Sequence, residues 1–389
     1  MSALKEIVGE GNVLESKIDL VVYASDASMT EGKARTIVLP TEIEQVQKLV
    51  RYAKRTDANL VIRGGGSGLS GGAVPQDSIV VDLSKLNKII EINKKERYAI
   101  VQPGVVLDEL NEAAGPELCF PVRPNSHSIA TLGGMIATNA AGNNAIKYGW
   151  TIDWVSQLLV IDGSGKMFDV KGDDIKMFCG REGTTGIIVE ARLRLTDKLE
   201  TKSMEHLRFE NINEMIKTVN VYKDKKSVSS IEFFNRLCAE LGGIDKLNHL
   251  LIGFESDDGS IKKPEEIEEL WKMREGMGPV SSGAGFSVME DPKIPDSALG
   301  EFLRWVDSNE LPCFGHIGVG IFHPRFRRGS DSMIMEMFEF VKKLGGKVSG
   351  EHGIGLNKKA YADKEYVAEV RKLKQEYDPD NILNKGKIA

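Results

Sequence analysis

The chain has only four cysteines, Cys119, Cys179, Cys238 and Cys313, and no two of them form a C-x-x-C pair. Iron–sulfur and zinc-ribbon spacings are therefore absent. A disulfide framework is not expected in a chain of this size, so buried thiols are the expected state. Basic excess is also lacking. Lys and Arg number 51 against 57 Asp and Glu, a net charge of -6, which gives no reason to expect a nucleic-acid partner. No apolar run reaches the ~18–20 residues of a membrane span. The start, Met1 to Glu6, turns polar within a few residues and lacks a signal-peptide core. A cytoplasmic protein is expected, peripheral to a membrane only through a partner. Hydrophobic content of 41% and charged content of 28% are ordinary for a globular protein, and 389 residues favour two domains.

Glycine is where the chain departs from the ordinary. One loop reads Arg63-Gly64-Gly65-Gly66-Ser67-Gly68-Leu69-Ser70-Gly71-Gly72. A second runs from Pro124 to Gly142 and carries His127, Gly133, Gly134, Ala137 and Asn139. Neither has the spacing of a dinucleotide fingerprint. Glycine lets a backbone approach a ligand and turn its N–H groups towards an anion. Two such loops suit the two phosphates of a large cofactor, and a flavoprotein is the expectation.

A helix should open at Pro40-Thr41-Glu42-Ile43-Glu44, with Thr41 as cap and Glu44 completing a capping box. A strand from Asn59 to Ile62 runs into the first glycine loop. Short strands follow at Ser78 to Leu83, Lys88 to Ile92, Tyr98 to Gln102 and Trp154 to Ile161, with a helix at Val106 to Ala114. From Ile187 to Leu195 residues alternate, with Val189, Ala191, Leu193 and Leu195 on one side. The charge-rich stretch from Thr196 to Lys202 reads as a domain boundary. Beyond it a β-α-β pattern repeats: strands at His206 to Phe209, Val228 to Phe234 and His249 to Phe254, helices at Ile212 to Tyr222 and Pro264 to Met273, and strands near Cys313 to Phe322. A sheet covered on one side by helices satisfies this pattern. Amphipathic helices at Met333 to Leu344 and Glu365 to Tyr377 follow, the last stopped by Asp378-Pro379-Asp380-Asn381.

Of six histidines, three fall in two compact glycine-containing segments, Gly315 to His323 and Ser349 to Gly355. On one continuous strand His316 and His323 would face opposite ways, but the glycines between them permit a bend. Two imidazoles with Glu351 suit Zn2+, Mn2+ or a related divalent ion, although any single histidine also reads as a hydrogen-bonded structural residue. His127 suits cofactor packing as well as catalysis, and His206 and His249 read as structural. Arg274, after the Pro264 to Met273 helix, is either a carboxylate clamp or a solvated helix-end arginine. Arg325, Arg327 and Arg328 form a basic run that reads as an anion contact or a solvated loop.

Five stretches taken in order carry a family resemblance. They are Arg63 to Pro75, Thr131 to Gly149, Gly180-Arg181-Glu182-Gly183-Thr184-Thr185-Gly186-Ile187, Ser349 to Gly355, and Asp378 to Lys387. From about residue 20 to its end the chain resembles the FAD-linked D-2-hydroxy-acid dehydrogenases of the vanillyl-alcohol oxidase type, including D-lactate dehydrogenases and the flavin subunit of glycolate oxidase. The resemblance implies an α+β fold. A two-part, PCMH-type FAD-binding domain would occupy residues 1–197, a ferredoxin-like α/β cap 198–330, and C-terminal helices in 331–389 would return to the FAD domain. Arg63, Gly64, Gly65, Gly66, Ser67, Gly68 and Ser70 would hold the pyrophosphate end. Gly133, Gly134, Ala137, Asn139 and Gly142 would run beside the isoalloxazine, and Glu182, Gly183, Gly186 and Ile187 beside the adenosine half, with Asn384 in the terminal motif. The first loop has no histidine, so FAD would be bound without a covalent tether.

In relatives the histidine segment reads H-x-G-D-G-N-x-H. Val319 and Ile321 stand at the Asp and Asn positions here, while both histidines and Glu351-His352 are kept. Carried over, His316, His323 and Glu351 are metal ligands, His352 the general base and Arg274 the substrate-carboxylate clamp. The cap is also shorter than in relatives, by about fifty residues. The implied reaction oxidises a D-2-hydroxy acid, D-lactate or glycolate first, by hydride transfer to flavin N5. Electrons then leave to a quinone, an electron-transfer flavoprotein or an iron–sulfur protein, and a homodimer is allowed. Two rivals stay open: a flavin-carrying subunit without substrate chemistry, and a non-redox flavoenzyme of the alkylglycerone-phosphate synthase kind, whose phosphate would meet the Arg325 to Arg328 run.

Overall fold

A computed structural model describes residues 3–198 and 200–388. Residue 199, inside the expected boundary stretch, and residues 1, 2 and 389 lie outside them. The chain forms two compact units. The first comprises residues 3–140, 150–198 and 352–388; the second comprises 141–149 and 200–351. The chain therefore returns to the first unit at His352. The expected third segment is divided, because the Asp331–Lys343 helix belongs to the second unit.

The first unit holds two sheets. One orders the strands Val13–Leu14, Lys33–Val38, Gln76–Asp82 and Leu60–Arg63, the last three parallel. The other is antiparallel, in the order Ile89–Asn93, Tyr98–Val101, Ile187–Arg194, Val155–Ile161 and Met167–Lys171. One face of Ile187–Arg194 sends Ile187 and Val189 into a core shared with Val38, Val81, Leu60 and the Ile43–Thr56 helix. Ile188, Ala191 and Leu193 contribute to a second core with Leu110, Leu132 and Ile136; a bulge between Ile188 and Glu190 breaks the alternation, so Val189 does not share the side of Ala191 and Leu193 as expected. The Ile43–Thr56 helix starts one residue later than the capping pattern predicts. Gln45 rather than Glu44 reaches back, its Oε1 accepting from the amides of Thr41 at 2.7 Å and Glu42 at 3.4 Å.

The chain end closes this unit. The Lys364–Tyr377 helix stops at Asp378, whose carboxylate accepts from the amides of Ile382 and Leu383 and pairs with Lys374 at 2.7 Å. Leu60 then hydrogen-bonds through its amide to Ile382 and through its carbonyl to Asn384.

The second unit is built on one sheet ordered Ser203–Phe209, Asn248–Phe254, Val228–Phe234, Cys313–His316, Ile321–Phe326 and Val288–Met289. Asn248–Phe254 lies antiparallel between Ser203–Phe209 and Val228–Phe234, which the Ile212–Lys223 helix connects, so the start of the unit is a split β-α-β. Helices cover both faces, not one. Phe234, Leu251 and Phe314 pack with Cys238, Ile267 and Met277 of the Arg236–Leu241 and Pro264–Gly283 helices. On the opposite face Phe254 meets Tyr222 and Phe322 meets Phe302 of the Leu299–Ser308 helix. That second cover explains why the central strands are buried along their whole length.

Two differences from the sequence reading shape the site. The Pro264–Gly283 helix runs ten residues beyond Met273, through Gly276, Gly278 and Pro279. Burial of Met277 and Ser281 against the sheet outweighs the poor helix propensity there. And the bend that the glycines allow between His316 and His323 is a full hairpin reversal joining Cys313–His316 to Ile321–Phe326. Gly320, at φ 71°, reverses the chain where its Cβ would collide with the Ile294 carbonyl. No described helix is long and apolar enough to cross a membrane, and all four cysteines are buried outside any disulfide.

Candidate active site

In the first unit the two glycine loops touch. A Cβ on Gly64 would collide with Thr131 Oγ1, one on Gly65 with the Ile129 carbonyl, and one on Gly133 with Pro103. Past that contact Gly66 turns at φ 66° over the Arg63 guanidinium, and among the described residues a Cβ on Gly68 would meet nothing within 4 Å. Among the described residues the amides of Gly65 to Leu69 donate to no protein acceptor. A packed loop that presents a row of unused N–H donors fits an anionic cofactor phosphate.

Several expected cofactor residues tie protein segments together instead. Arg63 donates from Nη1 to the Ser25 carbonyl at 2.8 Å and lies over the Tyr23 ring. Ser70 Oγ donates to the carbonyls of His352 and Gly353 at 3.0 and 2.9 Å, which anchors His352 to the first glycine loop. Glu182 accepts from the amides of Ile354 at 2.6 Å and Gly355 at 2.8 Å, and its own amide donates to Ala137. Burial pushes its carboxyl up to about 7 against the pull of those amides and of Lys387. Asn384 bridges the Ile62 amide and the Glu182 carbonyl, and Asn139 accepts from the Ile152 amide. Gly183 takes a left-handed φ of 68° beside Asn384. Gly186 faces Val160 and Phe178, and Ile187 is a core residue, so these two are spent on packing. Gly142 belongs to the 141–149 segment of the second unit, which Lys147 and Tyr148 pin to Glu255.

In the second unit the hairpin register sets Phe314 opposite His323 and His316 opposite Ile321. Opposed residues share a face, so both histidines project from the same side of the sheet. Glu351 joins them. Its Oε1 lies 3.2 Å from His323 Nε2 and 3.7 Å from His316 Nε2, and one ligand atom from each residue falls within 4.8 Å of the others. Donors held about 2.1 Å from a tetrahedral ion lie ~3.4 Å apart, so the set fits one divalent cation.

Behind His316 stands a residue that sequence reading missed. Glu232, at 0% exposure in the Val228–Phe234 strand, accepts from or pairs with His316 Nδ1 at 2.7 Å through Oε1. Its Oε2 lies 2.7 Å from Arg274 Nη2, an ionic contact whose angles make no hydrogen bond. Arg274 is 1% exposed, over the Phe314 ring, and among the described residues its Nε has no hydrogen-bond partner. It sits inside the long helix, so the solvated helix-end reading fails. Burial drives the His316 imidazole down, but Glu232 and Glu351 outweigh it and raise it to about 10. Burial likewise pushes Glu232 up, and His316 and Arg274 reverse that and hold it below the usual range. The available signal was one carboxylate in the otherwise uncharged run Val228-Ser229-Ser230-Ile231-Glu232-Phe233-Phe234.

The remaining candidates are accounted for locally. Arg325 bonds Ser282 Oγ at 2.5 Å and the Phe286 carbonyl at 3.1 Å, and Arg327 stacks on Phe286 and bonds the Ala284 carbonyl. Both secure the end of the long helix, so Arg325, being buried, is no solvated loop residue, and neither side chain is left free for the alternative anion contact. His127 links Asp108 and Arg123, and His206, His249 and Asp245 form a hydrogen-bonded row.

Comparison with known proteins bears on the same segments. A profile described as "FAD binding domain" matches residues 34–171, and one described as "FAD linked oxidases, C-terminal domain" matches 253–388. The chain is 30% identical to a D-2-hydroxyglutarate dehydrogenase of Stutzerimonas stutzeri, covering 99% of this chain and 97% of that protein. It is 30% identical to a D-lactate dehydrogenase of Archaeoglobus fulgidus over 91% of each, and 29% identical to glycolate oxidase subunit GlcD of Bacillus subtilis over 99% and 95%. The first alignment spans 457 positions against a chain of 389 residues, so that relative carries segments absent here. Among solved structures, an alkyldihydroxyacetonephosphate synthase superposes with a TM-score of 0.73 at 17% identity, covering 98% of this chain and 84% of that one. That likeness concerns the fold.

Two predictions follow from the geometry. Gly65→Ala should destabilise the flavin-free protein by about 1–3 kcal/mol in thermal melts, because the new methyl meets backbone, whereas Gly68→Ala should melt with the wild type. Cation binding must displace the His316 proton, so at pH 7–8 titration with Zn2+ should release about one proton, measured as a dependence of binding enthalpy on the buffer. In the cation-free protein that proton stabilises the fold fully below the unfolded value near ~6.5, and the contribution is lost as pH rises through about 10.

Proposed function

The chain belongs to the FAD-linked oxidases, and from that premise we propose that it oxidises a D-2-hydroxy monocarboxylic acid, D-lactate or glycolate first, to the 2-oxo acid. The observation that carries this reading is the His316–His323–Glu351 donor set lying on the same sheet face as a buried arginine with an unused N–H. FAD, bound without a covalent tether, supplies the hydride acceptor, and a divalent cation such as Zn2+ or Mn2+ held by His316, His323 and Glu351 supplies Lewis acidity.

The side chains have separate tasks. Arg274 binds the substrate carboxylate through the N–H groups that Glu232 leaves unused. His352, anchored by Ser70 and next in the chain to Glu351, takes the proton of the 2-hydroxyl. A single carboxylate suits the second unit better than two, because Arg325, the other buried arginine on this face, is already engaged. Ile321, opposite His316, adds an apolar surface where relatives carry asparagine. The intact donor set weighs against a subunit that only carries flavin. Electrons leave to a quinone, an electron-transfer flavoprotein or an iron–sulfur protein.

Anaerobic mixing with a panel of D- and L-hydroxy acids tests the reading by loss of flavin absorbance. D-Lactate or glycolate should bleach the flavin, chelation should slow it, and His352→Ala should slow it by ~10²–10⁴-fold with flavin retained. Reduction by L-acids alone, or unchanged reduction in His352→Ala, would contradict it.

A further inference from the structure

We infer that Glu232 is the positioning residue of this site: one buried carboxylate that orients His316 for a cation through one oxygen and holds Arg274 for an anionic substrate group through the other. The inference rests on the reading of His316, His323 and Glu351 as cation ligands.

A glutamate within a fully buried strand is retained only when paired. Both Glu232 oxygens are engaged at 2.7 Å, one by a histidine and one by an arginine, each itself nearly fully buried. A pair present only for packing is replaceable by apolar groups at little or no cost in stability. What an apolar pair would not reproduce is orientation. The Glu232 contact at Nδ1 fixes the imidazole so that Nε2, the other nitrogen, faces Glu351 and His323. A carboxylate on the far nitrogen of a metal-bound histidine selects its tautomer and raises its basicity. Through Oε2 the same group compensates the Arg274 charge while leaving Nε–H open.

Glu232 thereby joins a cation ligand, His316, to the Arg274 guanidinium through one carboxylate, and so links the cation site to the anion site though it touches neither ligand.

The test uses the full-length, flavin-loaded chain and Zn2+ alone, by isothermal titration without substrate. Glu232→Ala should weaken Zn2+ binding about 10–100-fold, Glu232→Asp should recover part of it, and KM for the hydroxy acid should rise in the same order with the flavin spectrum unchanged. Independently of any variant, histidine 15N spectra of the Zn2+-loaded wild type should show His316 coordinated through Nε2 and protonated at Nδ1. Coordination through Nδ1, or Zn2+ affinity within twofold of wild type in Glu232→Ala, overturns the role of Glu232 while leaving the ligand set standing. A wild type that binds no divalent cation overturns the ligand reading, and this inference with it.

Discussion

A fully buried carboxylate, set between an imidazole and a guanidinium, is the interaction on which the second unit depends. Removing one partner of such a buried pair costs roughly 3–5 kcal/mol, because the other charge is left without compensation. Three elements must therefore agree in register. The Val228–Phe234 strand presents Glu232, the Cys313–His316 strand presents His316 beside it, and the Pro264–Gly283 helix must continue far enough to bring Arg274 over the same face. The hairpin then adds His323, and Glu351 completes the set just before the chain leaves the unit. The fold and the chemistry of this unit share one electrostatic requirement.

The first unit is governed by close approach of backbone. Gly64 and Gly65 permit a contact between two loops that no side chain would survive, Gly133 packs the second loop as closely on Pro103, and the amides that follow Gly64 point away from protein acceptors. Around it, Ser70, Glu182 and Asn384 connect the loop, the 180–186 turn, the His352 segment and the chain end. Groups that look like ligand contacts in sequence are thus partly the scaffold that keeps a ligand cradle open.

The strongly patterned parts of the molecule were legible in sequence. The glycine loops, the His316, His323 and Glu351 grouping and the shared side of Ala191, Leu193 and Leu195 all appear as residue spacing, but a bulge between Ile188 and Glu190 turns Val189 to the other core, against the alternation read in the sequence. What escaped was decided by tertiary contact. Glycine and proline at 276–279 signal a helix end, yet sheet packing carries the helix on to Gly283. The glycines between His316 and His323 allowed a bend that brings the two together, but not its form: a turn at Gly320 places them on adjacent strands where opposed residues share a side. Glu232 gave only a lone charge among uncharged neighbours, and its partners lie some forty and eighty positions away, beyond any local pattern. Gly186, Arg63 and Arg325 show the converse: a conspicuous residue type can be consumed by packing or by capping a neighbouring backbone.

The central claim is that a carboxylate behind His316 prepares its other nitrogen for a metal ion. Anomalous diffraction from crystals grown with Mn2+ or Zn2+ measures this most directly. The account predicts a single strong peak about 2.0–2.3 Å from His316 Nε2, His323 Nε2 and Glu351, with Glu232 still on Nδ1. No peak there at saturating metal, or a peak with Glu232 swung away from His316, would contradict it.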